Sequence, residues 1–436
     1  MKAAPKLLVL AVLAALSTPA LAETSFDVIG GSEISFEGLL QADYNRFNSD
    51  IANLNGALND GLDSDSGMRR AELVFKGKGP GSWNWVVGYD ASSKKWLDTN
   101  VSYKFSSSTS MVFGQYKQPI SLEELSSTKN NDFISKAMTT NLYAISRRVG
   151  IGATTGGESW TLTGSVFDRE LTRNNGAGQG FGGRFTYAPM HEAGNILHLG
   201  LSAISYKAED SLADGRTRLR VRPDADLSGA RLIDAGQFTD ADRISTVGVE
   251  GAWVAGQFKL QAEVMTNTIT RDAHADFKSD SWYVSGVWNL TGESWGYKNG
   301  VITTGLPDEP ASGLWQLAAR YDHADLNDGS FTAPATVDGV LGGKESNWTV
   351  GVNWYWRSNF KLALNYVKVD SERFNSVSKT FVQDDPSILE FRAQLYWLFP
   401  GRARLQPRLS SSCHVDDESY AGRVAPRPAI ISRSLM

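Results

Sequence analysis

The stretch LEFRAQLYW, residues 389–397, alternates apolar and polar side chains with a period of two. In an extended strand its apolar residues share one face and its polar residues share the other. A strand of a soluble sandwich alternates in the same way, but here such segments recur between positions 34 and 397, are about ten residues long and carry aromatic ends. Their number and length predict a transmembrane β-barrel with lipid outside and water inside.

Sixteen segments fit this pattern, which predicts an all-β fold, a 16-stranded antiparallel barrel with a water-filled lumen. The segments centre on residues 36–44, 69–75, 83–89, 99–105, 111–116, 149–153, 160–167, 182–187, 197–206, 246–253, 258–266, 281–290, 314–321, 348–356, 360–366 and 388–397. Short and long connections alternate, and an even strand number places both termini in the periplasm. The connection 291–313 is long where a short turn is expected, which indicates a missed bulge or short strand pair.

The N-terminus predicts the compartment. Lys2 and Lys6 precede an apolar run over residues 7–16, and small residues at Ala20 and Ala22 suit cleavage after Ala22. Residues 1–22 are therefore predicted to be a secretory signal, since the run is too short for a membrane helix of about 20 residues. Residues 23–397 then form the barrel, in the outer membrane of a Gram-negative bacterium and in contact with its lipid.

Composition narrows the function. Loss of Lys2 and Lys6 changes the net charge from −5 to −7, which argues against a nucleic-acid partner. The single Cys413 excludes an internal disulfide. No histidine lies in a metal-ligand or nucleophile–base pattern, so no metal, cofactor or enzymatic activity is predicted. The histidines are His191, His198, His274, His323 and His414.

The strongest functional signal is RTRLRVR, residues 216–222. If extended, it projects Arg216, Arg218, Arg220 and Arg222 to one side at intervals of about 6.5–7 Å. Such a row repels itself and is tolerated where it faces anions or water. One interpretation is a solvated loop or a lipopolysaccharide-binding loop. The other is a ladder that folds toward the pore and passes anions along, since guanidinium donates paired hydrogen bonds to phosphate.

Two further groups of candidates follow from position. Arg69 and Arg70 open the second predicted strand at its external end; Arg70 shares the polar face, whereas Arg69 shares the apolar face and also fits an interfacial arginine that grips lipid headgroups. The long loop 118–147 offers hydroxyl and ammonium groups to an oxyanion, and two glutamates there could keep binding weak enough for release. The candidates in or beside this loop are Lys117, Ser126, Ser127, Lys129 and Lys136.

Several segments resemble the phosphate-selective porins O and P. They are GMRRAEL (67–73), GQYKQP (114–119), LEEL (122–125), SRRVG (146–150), NWTVGVNWY (347–355) and LNY (364–366). The resemblance implies a homotrimeric barrel with inward-folded loops, an arginine ladder above a constriction, and passive uptake of phosphate or polyphosphate such as pyrophosphate. The arginines of 216–222 match the ladder, and Arg69 and Arg70 match the paired arginines of the binding region.

The rival interpretation is a general or sugar-selective diffusion porin. Sugar channels line the lumen with aromatic tracks, whereas most tryptophans here are predicted on the lipid face. One departure from the family concerns the C-terminus, where barrels end at an aromatic residue that the assembly machinery recognises. Trp397 would be that residue, yet residues 398–436 follow, without strand period and rich in Arg, Ser and Pro. They resemble a frame-shifted or read-through extension; a periplasmic appendage is the alternative.

Overall fold

The computed structural model describes residues 27–28, 32–56, 62–79, 81–172, 178–208, 217–305, 307, 311–332, 336–357 and 359–399. The predicted signal, Arg216 and the chain after residue 399 lie outside them. The described helices are short, and none is long and apolar enough to cross a membrane.

Sixteen antiparallel strands form one closed barrel, so the predicted fold and strand number are confirmed. Each strand pairs with the next along the chain, and the first pairs with the last, with Gly38 opposite Trp397. The last strand continues to Phe399, two residues past its predicted end. The strands are β1 (Ser32–Asn48), β2 (Ser64–Lys78), β3 (Trp83–Asp90), β4 (Lys95–Lys104), β5 (Ser110–Lys117), β6 (Arg147–Gly156), β7 (Trp160–Phe167), β8 (Gly180–Glu192), β9 (Asn195–Lys207), β10 (Ala241–Ala255), β11 (Phe258–Arg271), β12 (Phe277–Asn289), β13 (Leu314–Thr332), β14 (Thr336–Trp356), β15 (Phe360–Asn375) and β16 (Ser387–Phe399).

In β14 and β16 the exposure of the side chains confirms the predicted faces. In β14, Trp348 is 58% exposed on the outer surface, whereas the neighbouring Asn347 is fully buried. In β16, Leu389 and Phe391 are exposed and Glu390 is buried between them. The barrel therefore has an apolar outer surface that suits lipid and a polar interior.

The barrel wall is low on one side and tall on the other. Strands β3 to β7, which we call the low wall, have 8 to 10 residues each. Strands β13, β14 and β15, which we call the tall wall, have 19, 21 and 16 residues. Three segments fold into the barrel between these walls and shape its interior.

The first segment is the connection between β5 and β6, residues 118–146, which we call the constriction loop. It contains two helical turns, Leu122–Leu125 and Met138–Tyr143, and a 3-10 turn, Thr128–Asn130. Tall-wall side chains hold its backbone: Lys361 Nζ donates to the Asn131 carbonyl at 2.6 Å, and Asn353 Nδ2 donates to the Asp132 carbonyl at 2.7 Å. The loop thus crosses the lumen, as the family resemblance implied.

The second segment is a hairpin, Thr217–Val221 paired with Ile233–Phe238, which we call the arginine hairpin. Val221 is 4% exposed and packs among buried residues of β11 and β12, including Ile269 and Phe277. This apolar contact fixes the hairpin against the inner surface of the wall.

The third segment explains the long connection between β12 and β13. Gly296–Lys298 pairs with Val301–Thr303 in a short hairpin, which we call the inner hairpin. Trp295, just before it, is fully buried in a cluster that includes Leu122 and Phe133 of the constriction loop. Of the two expectations for this connection, a short strand pair is confirmed.

Candidate functional site

An open cavity of about 320 Å³ separates the constriction loop from β1 to β6. We call it the low-wall cavity. Its charged lining residues are Lys76, Lys117, Lys129, Arg147, Glu37, Glu72 and Asp98, with Ser126 and Ser127 beside them. Four residues predicted from the constriction region therefore meet in one cavity: both serines, Lys117 and Lys129.

Lys129 is the cation of this cavity that has no carboxylate ion pair within the described part of the chain. Its Nζ lies 3.6 Å from the centroid of the Tyr396 ring, a cation–π contact. Burial is the main cause that lowers the pKa of the Lys129 ammonium; to a smaller extent, Glu37 raises this pKa and Lys76 lowers it. The charge of Lys129 is thus available to a ligand in the cavity.

The other cations are partly compensated. Lys76 Nζ lies 2.7 Å from Glu37, and Arg147 Nη2 lies 2.9 Å from Asp98. These pairs keep both cations in place while each carboxylate offsets their charge. The lining is therefore polar and only mildly positive, rather than a dense cationic ring.

Glu124 compensates two of the predicted lysines. It forms an ion pair with Lys136, and its carboxylate lies 3.9 Å from Lys117 Nζ. Burial acts to raise the pKa of Glu124, but Lys136 and then Lys117 outweigh it and hold the pKa at about 2. Lys136 does not line the low-wall cavity; the structure places it in an ion pair with Glu124 within the constriction loop.

The two serines face the cavity from the bend between the first helical turn, Leu122–Leu125, and the 3-10 turn. Ser126 Oγ donates to the Leu122 carbonyl at 2.7 Å, which leaves its oxygen as an acceptor. The Ser127 side chain makes no capping bond to the 3-10 turn that it precedes. Its hydroxyl is therefore free of that turn and is the better donor to an oxyanion.

The structure corrects the position of Arg69 and Arg70. Strand β2 begins at Ser64, so the pair lies inside the strand and not at its external end. Gln41 of β1 faces Arg70 and Ala42 faces Met68, so Arg69 is the extra residue of a β-bulge. The bulge shifts the alternation of faces.

Because of this bulge, both arginines reach lumen-side carboxylates. Arg69 Nε donates to Asp226 at 2.6 Å, in the loop that follows the arginine row. Arg70 Nη1 lies 3.3 Å from Glu72, which lines the low-wall cavity. The expectation that Arg69 sits on the apolar face and fits a lipid contact is therefore wrong.

Two arginines of the row, Arg218 and Arg222, already bind groups of the protein. Arg218 Nε donates to Asp234 at 2.9 Å, and Arg222 Nε donates to the Ser228 carbonyl at 2.7 Å. Arg220 is exposed and has no ion pair among the residues described. Arg216 lies outside them.

The packing of the arginine hairpin determines where its charges point. Leu219 and Val221 pack against the wall, so the alternate residues Arg218 and Arg220 point away from it and are exposed to the open space beside the arginine hairpin, which we call the vestibule. Burial, and next the charges of Arg222 and Arg220, lower the pKa of the nearby Arg231 guanidinium. The row is thus part of a larger positive cluster.

A second cavity, of about 950 Å³, lies on the other side of the constriction, among the short turns and the inner hairpin. Lys117 and Leu125 line both cavities, so the two meet at the constriction loop. Paired hydroxyls line this second cavity, including Thr154 with Thr163 at 3.1 Å. A solute that leaves the low-wall cavity meets a surface that combines these neutral donors and acceptors with charged side chains, among them Lys104, Arg184 and Glu158.

The sequence analysis missed two basic residues of the low-wall cavity, Lys76 and Arg147. Lys76 shares the inward face of β2 with Arg70 and Glu72, and Arg147 is the first residue after the constriction loop. Both could have been predicted, because each is a basic residue that lies close in sequence to a predicted site residue or to the loop that carries several of them. Among the described residues, no group of three or more His, Cys, Asp or Glu side chains is arranged to hold a metal ion.

A closed 16-stranded barrel with a connection folded across its lumen is the architecture of an outer-membrane porin. The family model for the phosphate-selective porins O and P matches residues 35–397, and the chain belongs to that family. The protein is thus a channel of the Gram-negative outer membrane, and the predicted family is confirmed.

Individual comparisons agree. The chain is 28% identical to Porin O of Pseudomonas aeruginosa over 380 residues, which cover 79% of this chain and 85% of that protein. The anion-selective porin from Comamonas acidovorans has the same fold, with 12% identity, a TM-score of 0.53, and coverage of 84% of this chain and all of that one. A trimer form of OmpT from Vibrio cholerae aligns with 11% identity and a TM-score of 0.50, covering 84% of this chain and 99% of its own.

Proposed function

We propose that this porin is anion-selective and that phosphate or polyphosphate, including pyrophosphate, binds in the low-wall cavity during passage. One observation carries the proposal: Lys129, which has no carboxylate ion pair among the described residues, lies with Ser126 and Ser127 in the low-wall cavity. The Lys129 ammonium and the Ser127 hydroxyl are donors that suit a tetrahedral oxyanion, which accepts several hydrogen bonds at once, while Ser126 Oγ already donates to the Leu122 carbonyl.

The acidic residues of the cavity have a place in this proposal. Glu37, Glu72 and Asp98 offset the charges of neighbouring cations and so limit the affinity for an anion. A conducting site has to bind well enough to select and weakly enough to release. Flow then follows the concentration gradient and requires no energy source.

The arginine hairpin is the proposed entrance. Arg218, Arg220 and Arg222, together with Arg216, would raise the local concentration of anions at the vestibule. Arg70, beside Glu72, would pass them to the low-wall cavity, where Lys117 joins Lys129. Arg69 and Lys136 would act by holding neighbouring charges in position, since both form ion pairs.

The alternative, a general or sugar-selective porin, finds less support. Tryptophans are exposed on the outer surface, as at Trp83, Trp160, Trp253 and Trp288, while Trp295 is fully buried. The described lumen thus lacks the row of tryptophans that would form a track for sugars.

We further propose that both termini are periplasmic and that the protein is a homotrimer inserted by the outer-membrane barrel assembly machinery. The start of β1 pairs with the end of β16, so both strand ends lie at the barrel end with the short turns. Short turns are periplasmic in such barrels. The trimer form recorded for the Vibrio cholerae neighbour supports the oligomer.

The test is single-channel recording of the purified protein in a planar bilayer bathed in chloride. We expect a reversal potential that indicates anion selectivity, and a chloride current that phosphate or pyrophosphate blocks. Weak or cation selectivity without block would leave the barrel intact and refute the phosphate proposal.

A further inference from the structure

Two buried arginines on the wall touch both the constriction loop and the loop that follows the arginine row. Arg320 lies on β13 and Arg392 on β16, and their side chains are 1% and 5% exposed. Neither belongs to the low-wall cavity. Buried guanidiniums need partners for their charge and their donors, and those partners identify what the residues hold.

Arg320 has three kinds of partner. Its Nε donates to Asp322 on its own strand at 2.6 Å, and its Nη1 donates to the Ser135 carbonyl of the constriction loop at 3.0 Å. Its Nη2 lies 3.0 Å from a carboxylate oxygen of Asp224, two residues after Arg222. One planar group therefore contacts the wall and both loops.

Arg392 repeats this arrangement. Nε and Nη2 each donate at 2.6 Å to Asp43 of the neighbouring strand β1. Nη1 donates to the Ile134 carbonyl at 2.7 Å, and Nη2 lies 3.7 Å from Asp226. The carbonyls used are consecutive along the constriction loop, and the carboxylates used alternate along the other loop.

From this repeated pattern we infer that Arg320 and Arg392 are positioning residues, a double clamp that joins the arginine row to the constriction. The inference rests on the proposed function, because it concerns how the phosphate site keeps its geometry. Neither guanidinium lines the low-wall cavity, and each is buried and ion-paired with carboxylates of the protein, so they do not bind the passing anion. They determine where Arg222 and Lys129 stand relative to each other.

The clamp and a purely electrostatic role predict opposite effects for Asp224→Asn. This change removes the buried negative charge that pairs with Arg320, and by Coulomb attraction alone that loss should strengthen anion binding. The clamp predicts weaker phosphate binding, because the loop after the arginine row loses its ion pair with Arg320. Arg320 itself keeps its bonds to Asp322 and to the Ser135 carbonyl. The substitution is isosteric and leaves the buried arginine paired, so the barrel should still fold.

The experiment compares Asp224→Asn with Asp325→Asn in single-channel recordings. Asp325 pairs with Lys344 at 2.9 Å, and no hydrogen bond or ion pair among the described residues joins its side chain to either loop, so the control loses the same charge from the same end of the barrel. We expect Asp224→Asn to weaken phosphate block between about two- and thirtyfold and to raise open-channel noise in chloride alone. Asp325→Asn should leave both quantities unchanged.

Tighter or unchanged block with unchanged noise in Asp224→Asn would overturn the clamp. Equal effects of both substitutions would overturn it as well, since charge alone would then explain them. If phosphate fails to block the unmodified channel, the proposed function is refuted instead. In that case the chloride noise of Asp224→Asn still decides whether the clamp exists.

Discussion

The basic residues of the low-wall cavity and those that grip the constriction loop look alike in sequence but differ in their partners. Lys129 faces open space and has a ring but no carboxylate ion pair among the described residues. Lys361, Arg320 and Arg392 are almost fully buried and donate to loop carbonyls. An inward-facing cation can therefore serve the solute or the fold, and its contacts decide which.

The largest difference between the two groups should appear in stability. Arg392→Met leaves Asp43 charged and buried, so we expect the free energy of unfolding to fall by about 3–5 kcal/mol. Urea unfolding of the detergent-solubilised barrel measures it. Arg220→Met, which removes an exposed arginine, should change the same quantity by less than about 0.5 kcal/mol. Comparable losses in both variants would remove the distinction between the groups.

The second effect concerns binding and should belong to the low-wall cavity. Lys129→Gln removes a charged hydrogen-bond donor worth about 1.5–3 kcal/mol, so phosphate block should weaken roughly tenfold or more. Titration of phosphate against single-channel chloride current measures it. Lys278→Gln, at an exposed position of β12, is the matched charge control and should leave block unchanged. An equal loss in that control would show that net charge, not the site, sets affinity.

The sequence predicts the barrel, but it does not predict which inward-facing cations line the cavity and which hold the constriction loop. Period-two alternation predicts strands because each strand faces lipid on one side and water on the other, as β14 and β16 show. The bulge at Arg69 breaks this alternation, because one extra residue in β2 changes which face the neighbouring side chains occupy. The pairing of Arg218 with Asp234, and of Arg320 with Asp224, depends on how loops return to the wall.

The third effect separates the entrance from the cavity. Arg218→Ala with Arg220→Ala should lower conductance more at about 0.01 M salt, where charges are felt over about 30 Å, than at about 1 M, where they are screened within about 3 Å. Conductance measured across this salt range tests it. Arg357→Ala, at a short turn, serves as control. Proportional losses at both salt concentrations would argue against steering.

The smallest effect concerns the inner hairpin. Gly300 has φ +76°, and a Cβ there would lie 3.0 Å from Thr186 Oγ1. Gly300→Ala should therefore displace the hairpin tip and alter single-channel conductance slightly. Gly256→Ala carries the same backbone cost, of about 1–2 kcal/mol, at φ +58° with open space around it. Identical conductance in the two variants would mean that the tip does not shape the pathway.

The most direct measurement is a crystal structure of the protein soaked with arsenate, a tetrahedral analogue of phosphate that anomalous scattering locates. We expect an anomalous peak in the low-wall cavity, within hydrogen-bond distance of Lys129 and Ser127. A peak only beside Arg320 or Arg392, or none in the lumen at saturating arsenate, would contradict the assignment of the site.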